Sequence, residues 1–258
     1  MKAKSLGFIG GGRITRIFLQ AFANKKTDFS SIVVSDTNMD VLNDLKTRFP
    51  KISITDSPSM PAKQDIVFIA LHPPVIMEVL QQISHDVTEH TTVVSLAPKI
   101  SIEKIASKLD RVKNIVRLIP NATSIINEGY NPVCFAKETH DWDKPTLLET
   151  FRILGHTFEV PEQKLESYAI MSAMLPTYFW FQWKELLEIG TQIGLTQEES
   201  ENALKDTVFA AIRTYFYSGM KPDEVMDLIP VKPIGEHEPQ IKAIYRDKLI
   251  PLFEKIKP

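Results

Sequence analysis

Three glycines in succession, Gly10-Gly11-Gly12, stand between a strand-like run at residues 6–9 and a stretch in which Ile14, Ile17, Phe18, Ala21 and Phe22 recur at helical spacing. With Arg13, Ile14 and Thr15 the string fits G-x-G-x-x-(G/A), threonine taking the third small position. A second strand follows at 32–35, with Asp36 at its end, twenty-four residues beyond Gly12. Strand, glycine turn, helix and terminal acid together form the setting in which a Rossmann domain holds a dinucleotide. Gly10 permits the tight turn, Gly12 lets the backbone approach a pyrophosphate, and the helix-start amides of Arg13 and Ile14 receive negative charge. Asp36 can accept hydrogen bonds from the adenosine ribose and would repel a 2′-phosphate, so the expected cofactor is NAD(P)H with a lean toward NADH. Two alternatives stay open: Arg13 could reach over to a 2′-phosphate, and Asp36 could instead cap the next helix.

The alternation continues along the chain. Strands are expected at 66–71, 93–96 and 115–118, with additions at 132–136 and 157–160; Val41, Leu42, Leu45 and Phe49, then Val75, Val79, Leu80 and Ile83, mark helices between them. This predicts an α/β domain over residues 1–160, a Rossmann-type parallel sheet with helices on both faces. After Pro161 the strands stop. Helical patterns at 165–174, 177–193, 197–218, 223–228 and 240–256 predict an all-helical domain over 161–258, with a loop at 229–239 that holds three prolines and one glycine. Thr196 ahead of Glu198 and Glu199 reads as an N-cap, and Gly219 closes the same helix. Tyr178, Phe179, Trp180, Phe181 and Trp183 cover every face of one helix, the pattern of core plus subunit interface, so a homodimer or higher homo-oligomer is expected.

Thirty basic against thirty-two acidic residues, scattered, leave no electrostatic footprint for nucleic acid or an anionic membrane. The single Cys134 lies in an apolar stretch and reads as a buried, inert thiol; no intrachain disulfide or CxxC motif is possible. The start shows no signal-peptide pattern, and the most apolar stretch, 169–183, is interrupted by Ser172, Pro176, Thr177 and Gln182, short of a membrane span. A cytoplasmic protein acting on a small molecule is expected. His85, His90, His140 and His156 read as surface residues, residues 140–143 as a solvated turn, and no pair of histidines has metal-ligand spacing.

Further strings carry a resemblance. Gly7-Phe8-Ile9-Gly10-Gly11-Gly12, Val67-Phe68-Ile69-Ala70-Leu71-His72-Pro73, Val93-Val94-Ser95-Leu96-Ala97 and above all Arg117-Leu118-Ile119-Pro120-Asn121-Ala122, followed by Glu128-Gly129, are similar to motifs of the pyrroline-5-carboxylate reductase family. Members reduce a cyclic imine to proline with NAD(P)H, and the likeness spans nearly the whole chain, including the start of a helical dimerisation domain. It implies that Ala70, Leu71, His72, Pro73, Ala97, Pro120 and Asn121 line the nicotinamide half of the cofactor and that Ser57 lies toward the adenosine ribose.

The resemblance also has gaps. His72 replaces a common lysine, and Pro98-Lys99 replaces a small Ala-Gly pair. The family's Ser-Gly-Ser-Gly-Pro is here Ser172-Ala173-Met174-Leu175-Pro176, and its Ser-Pro-Gly-Gly-Thr-Thr is Lys232-Pro233-Ile234-Gly235-Glu236-His237. On the substrate side this leaves Pro120, Asn121, Ser172, Glu236 and His237, with most carboxylate-binding hydroxyls gone and Glu236 set to repel an anion. The candidate proton donors are His72, otherwise a cofactor contact, and His237, otherwise a solvated partner of Glu236. Besides hydride transfer to the family's imine, two readings stay open: reduction of another small imine or carbonyl, and a catalytically inactive dinucleotide-binding sensor.

Overall fold

The computed structural model describes residues 3–140 and 143–258, so part of the turn expected at 140–143 lies outside the described residues. They form two compact units, 1–174 with 253–258, and 175–252. In the first unit the strands are β1 (Ser5–Ile9), β2 (Ser31–Ser35), β3 (Ser53–Thr55), β4 (Ile66–Ile69), β5 (Thr92–Ser95), β6 (Asn114–Leu118), β7 (Gly129–Phe135) and β8 (Gly155–Glu159). They make one sheet in the order β3-β2-β1-β4-β5-β6-β7-β8, parallel at every junction except the antiparallel pair β6–β7. The carboxyl ends of β1 to β6 therefore share one edge. The chain reverses direction across the sheet between β1 and β4, the position where open α/β sheets form a ligand crevice.

The connections are α1 (Arg13–Asn24), α2 (Met39–Arg48), α3 (Ser59–Ala62), α4 (Pro73–Ile83), α5 (Ile102–Ala106), α6 (Asp143–Arg152) and α7 (Leu165–Tyr168). Strand residues alternate between two cores. Phe8, Phe68, Val94 and Val116 meet Phe18 of α1 and Phe151 of α6 on one face; Val67, Ile69, Val93 and Ile115 meet Ile76 and Leu80 of α4 on the other. Phe8 stacks on Phe68 at 4.7 Å between centroids and Phe18 meets Phe68 edge-on at 5.4 Å. Burial of each such side chain contributes about 1.5–3 kcal/mol. Gly7 is required by close approach: a Cβ there would sit 2.0 Å from the Pro61 carbonyl oxygen.

Three elements go beyond the expectation. β3 and α3 are too short, at three and four residues, to carry a readable period. The segment 161–174, read from its sequence as the start of the second domain, packs with the first unit, because Leu165 and Ala169 join a cluster with Ile119, Cys134 and Val160. The helix expected at 165–174 is a single α turn, Leu165–Tyr168, followed by a wider π turn over Ala169–Ala173.

The second unit holds α8 (Trp180–Gln192), α9 (Gln197–Tyr217), α10 (Pro222–Asp227) and most of α11 (Glu238–Ile256). Thr196 and Glu199 form a reciprocal capping box, and the bonds from Thr196 lower the Glu199 pKa. Gly219, at φ +78°, takes the left-handed conformation just past α9. Of residues 175–252 only Gly190 and Ser200 are buried, and Phe181 and Phe216 of α8 and α9 are 67% and 69% exposed. Of the aromatic residues read from their sequence as core plus subunit interface, Phe179, Trp180 and Phe181 thus lie exposed on the single chain, while Tyr178 and Trp183 are half-buried. No helix among the described residues is long and apolar enough to cross a membrane.

Candidate active site

The glycine turn after β1 is held from three sides. Gly10 adopts φ +106°, and a Cβ there would lie 2.4 Å from the Ala70 carbonyl oxygen, so this position admits only glycine. The Gly10 N–H donates to the Ser35 carbonyl at 2.7 Å, and the buried Thr15 hydroxyl donates to the Gly10 carbonyl at 2.5 Å. Thr15, unusual in the third small position, is therefore accommodated by a hydrogen bond that fastens the turn to α1. The Asp36 carboxylate accepts from the Gly11 N–H at 2.8 Å and, through its other oxygen, from the Asn38 N–H at 2.8 Å. Capping of α2 falls to Asn38, whose side chain accepts from the Asp40 and Val41 amides, so the capping alternative for Asp36 is set aside.

Gly12 differs from its neighbours: beyond Gly11 and Arg13, no atom lies within 4 Å of where its Cβ would be. The first turn of α1 has neither a side-chain cap nor an acidic residue, which leaves its amides for an external anion. A cavity of about 400 Å³ adjoins the turn, with Gly11, Gly12, Arg13 and Arg16 on one side and Asp40, Val41 and Asp44 on the other. These features fit the pyrophosphate and adenosine of a dinucleotide: amides for charge, space at Gly12, and an acid at the ribose end. Ile14 packs against the core behind the turn, and Ser57 is exposed after β3, its hydroxyl accepting from the Ser59 N–H at 3.3 Å.

Farther along the same edge, Ala70 follows β4 and lies against Gly10, with Leu71 half-buried beside it. His72 is exposed at the N-cap position of α4, forms no capping bond, and precedes Pro73 and Pro74 in the first turn. Ala97 is buried just past β5, and Pro120 is buried past β6. Asn121 is 5% exposed: its N–H donates to the Asn131 side chain at 2.8 Å, its amide group donates to the Ser172 carbonyl at 2.8 Å, and its side-chain oxygen accepts from the Thr123 N–H and hydroxyl. The Ser172 hydroxyl donates to the Tyr168 carbonyl at 2.7 Å. Asn121 and Ser172, fifty-one residues apart, thus form one joint. Glu236 and His237 stand on a short helical turn of the second unit, both largely exposed and 3.5 Å apart.

Sequence reasoning missed a buried ionic brace beneath this edge. Arg117, fully buried at the end of β6, pairs with Glu162 at 3.0 Å and with Glu166 at 2.5 Å. Glu162 also accepts the Ile102 N–H at 2.8 Å, and Glu166 accepts the Lys99 N–H at 3.3 Å. The brace joins β6, the turn after β5 and the segment that leads to Ser172. The available signal was an arginine inside the apolar run Ile115-Val116-Arg117-Leu118-Ile119, a cost that only paired acids can offset. Lys99, at φ +75°, adopts a left-handed conformation that costs a non-glycine residue about 1–3 kcal/mol. Nearby Cys134 is buried, and desolvation followed by the Glu162 charge pushes its pKa up to about 11.

Comparison with known proteins accords with this geometry. Residues 5–99 match the family described as NADP oxidoreductase coenzyme F420-dependent. Pyrroline-5-carboxylate reductase of Methanosarcina acetivorans is 22% identical over 266 residues, covering 100% of this chain and 98% of that protein. The enzyme of the same name from Escherichia coli is 21% identical over 227 residues, 88% of this chain and 84% of the relative. Among solved structures, pyrroline carboxylate reductase of Plasmodium falciparum with NADP bound superposes with a TM-score of 0.76 at 20% identity, covering 99% of this chain and 95% of that one. The Coxiella burnetii pyrroline-5-carboxylate reductase gives 0.71 at 25% identity, over 99% and 95%. Gly10 to Gly12, the Arg117 to Asn121 motif and this likeness over the whole length make the chain similar to pyrroline-5-carboxylate reductases in sequence and in fold.

Proposed function

We propose that the protein is an NAD(P)H-dependent reductase that transfers a hydride to the C=N carbon of pyrroline-5-carboxylate or a closely related cyclic imine. The observation that carries this is the glycine turn: Gly12 is open, the first turn of α1 is uncapped, and Asp36 fastens Gly11 at the end of β2, in a chain similar over its full length to a pyrroline-5-carboxylate reductase. When bound, the nicotinamide supplies the hydride.

The chain's own residues bind and orient. The α1 amides and Gly12 take the pyrophosphate, and Asp36 favours NADH by repelling a 2′-phosphate. Ser57 lies on the adenosine side. Ala70, Leu71, Pro73 and Ala97 form an apolar wall along the nicotinamide half, which keeps water from the transfer, while Pro120, Asn121 and Ser172 hold the neighbouring backbone in one shape. A protonated imine carries its own activating charge, so the protein's chemical share is small; His72, exposed at the head of α4, is a candidate to deliver a proton. His237 with Glu236 is a second candidate, on the helical unit.

The exposed apolar residues of α8 and α9 support a homodimer formed through that unit. A cytoplasmic location is part of the same reading. The test is NADH and NADPH oxidation against a panel of cyclic imines, alongside calorimetric titration of each cofactor. Turnover of pyrroline-5-carboxylate is expected; cofactor binding with no turnover on any imine would overturn the reductase reading in favour of a sensor.

A further inference from the structure

Lys99 is the one residue at the cleft edge whose backbone is strained without an evident structural return. It sits at φ +75°, a conformation that glycine adopts freely and lysine does not. Gly10, just after β1, is left-handed for a packing reason, whereas Lys99, four residues after β5, is exposed. Its N–H is fastened to Glu166, which Arg117 in turn holds, so a buried ionic brace maintains the turn that carries it. Its ammonium makes no ion pair or hydrogen bond among the described residues.

The position constrains which charge that ammonium meets. Lys99 follows β5, and β5 lies two strands from β1 in the sheet order β1-β4-β5, a separation of about 10 Å at the usual strand spacing. The pyrophosphate site is at the start of α1, directly after β1. The loop bearing Lys99 instead neighbours the loop of Ala70 to Pro73, through the pairing of β4 with β5 and the 3.2 Å bond from the Leu96 N–H to Ile69. An anion recognised there is therefore on the reacting molecule. The Ser172 hydroxyl, the one kept on that side, already donates to Tyr168.

We propose that Lys99 is the anchor for the substrate carboxylate, a charged replacement for lost hydroxyl donors, and that it selects imines bearing a carboxylate beside the ring nitrogen. This rests on the reductase reading above. Arg117 and Glu166 are positioning residues for it, acting through the Lys99 backbone.

The test uses the full-length protein with NADH bound and two probes of one ring size, tetrahydrofuran-2-carboxylate and uncharged tetrahydrofuran, with the variants Lys99→Met, Lys99→Gly and Lys99→Arg. Lys99→Gly relieves the strained turn and should melt at or above the wild-type temperature, which separates folding from binding. Both Lys99→Met and Lys99→Gly should weaken the carboxylate probe by about tenfold or more, the range of a charge-assisted hydrogen bond, and leave the uncharged probe and NADH unchanged. Lys99→Arg should retain most of the affinity. Unchanged carboxylate binding, a wild type that does not bind the carboxylate, or an equal loss of NADH affinity would overturn the assignment. Carboxylate binding that depends on Lys99 in a wild type without imine turnover would instead count against the reductase reading alone.

Discussion

The carboxylate of Asp36 receives the Gly11 amide hydrogen at 2.8 Å, so the residue proposed to discriminate between cofactors also braces the glycine turn proposed to bind them. Shape and charge can be separated by substitution. Asp36→Asn keeps an oxygen acceptor for Gly11 and removes the charge; it should bring the NADH and NADPH dissociation constants closer together. Asp36→Ala removes both and should weaken the two cofactors alike. A wild-type preference for NADPH of more than about tenfold, ~1.4 kcal/mol, would show that the acid does not read the ribose.

Gly12 and Gly10 differ in what a side chain would strike. At Gly12 an added Cβ meets nothing within 4 Å beyond its chain neighbours, so Gly12→Val should leave the melting temperature nearly unchanged while abolishing cofactor binding, because the branched side chain takes the pyrophosphate's place. Gly10→Ala combines φ +106° with a 2.4 Å clash against Ala70 and should lower the melting temperature whether or not cofactor is present. Thermal melts with and without NADH, beside calorimetry, distinguish the two; a strongly destabilised Gly12→Val would refute the open geometry.

Arg117→Met leaves Glu162 and Glu166 without their cation beneath the sheet and should cost about 3–5 kcal/mol in denaturant unfolding. Changing the acids as well, in Arg117→Met with Glu162→Gln and Glu166→Met, should recover much of that loss, because an apolar cluster avoids the desolvation of the charges. If the single variant is as stable as wild type, the ion pairs are not holding the segment down.

The Cys134 thiol, raised from an ordinary 9.0 to about 11 by burial, stays protonated at neutral pH and should resist alkylation at pH 8 until the protein unfolds. The unfolded chain loses this proton more readily than the folded one, so stability on account of Cys134 is full below pH 9 and declines as pH rises toward 11. Cys134→Ala should flatten that decline. A thiol labelled rapidly in the native protein would contradict its burial.

What could be read from the chain was local. Gly10 to Gly12, Asp36 and the apolar spacing of α1, α2 and α4 lie within a few turns of one another, and each constrains its neighbours directly. The π turn around Ser172, the left-handed Lys99 and the pairing of Arg117 with acids forty-five and forty-nine residues away were not legible, because none is decided by its own stretch of chain. Lysine has little tendency to that conformation, and the Glu166 carboxylate that accepts its N–H lies sixty-seven residues away. Glu162 and Glu166 look like any exposed helical acids until the fold brings Arg117 against them. The aromatic run at 178–183 shows the same limit from the other side: its composition signals burial, and one copy of the chain provides none for Phe181.

With two fully buried residues between 175 and 252, a lone molecule gains less hydrophobic free energy from ordering its last third than from ordering its sheet. For the proposed homodimer, that order becomes a bimolecular event. Its unfolding midpoint then climbs with protein concentration, and dilution loosens the helical unit at a temperature that leaves the sheet intact.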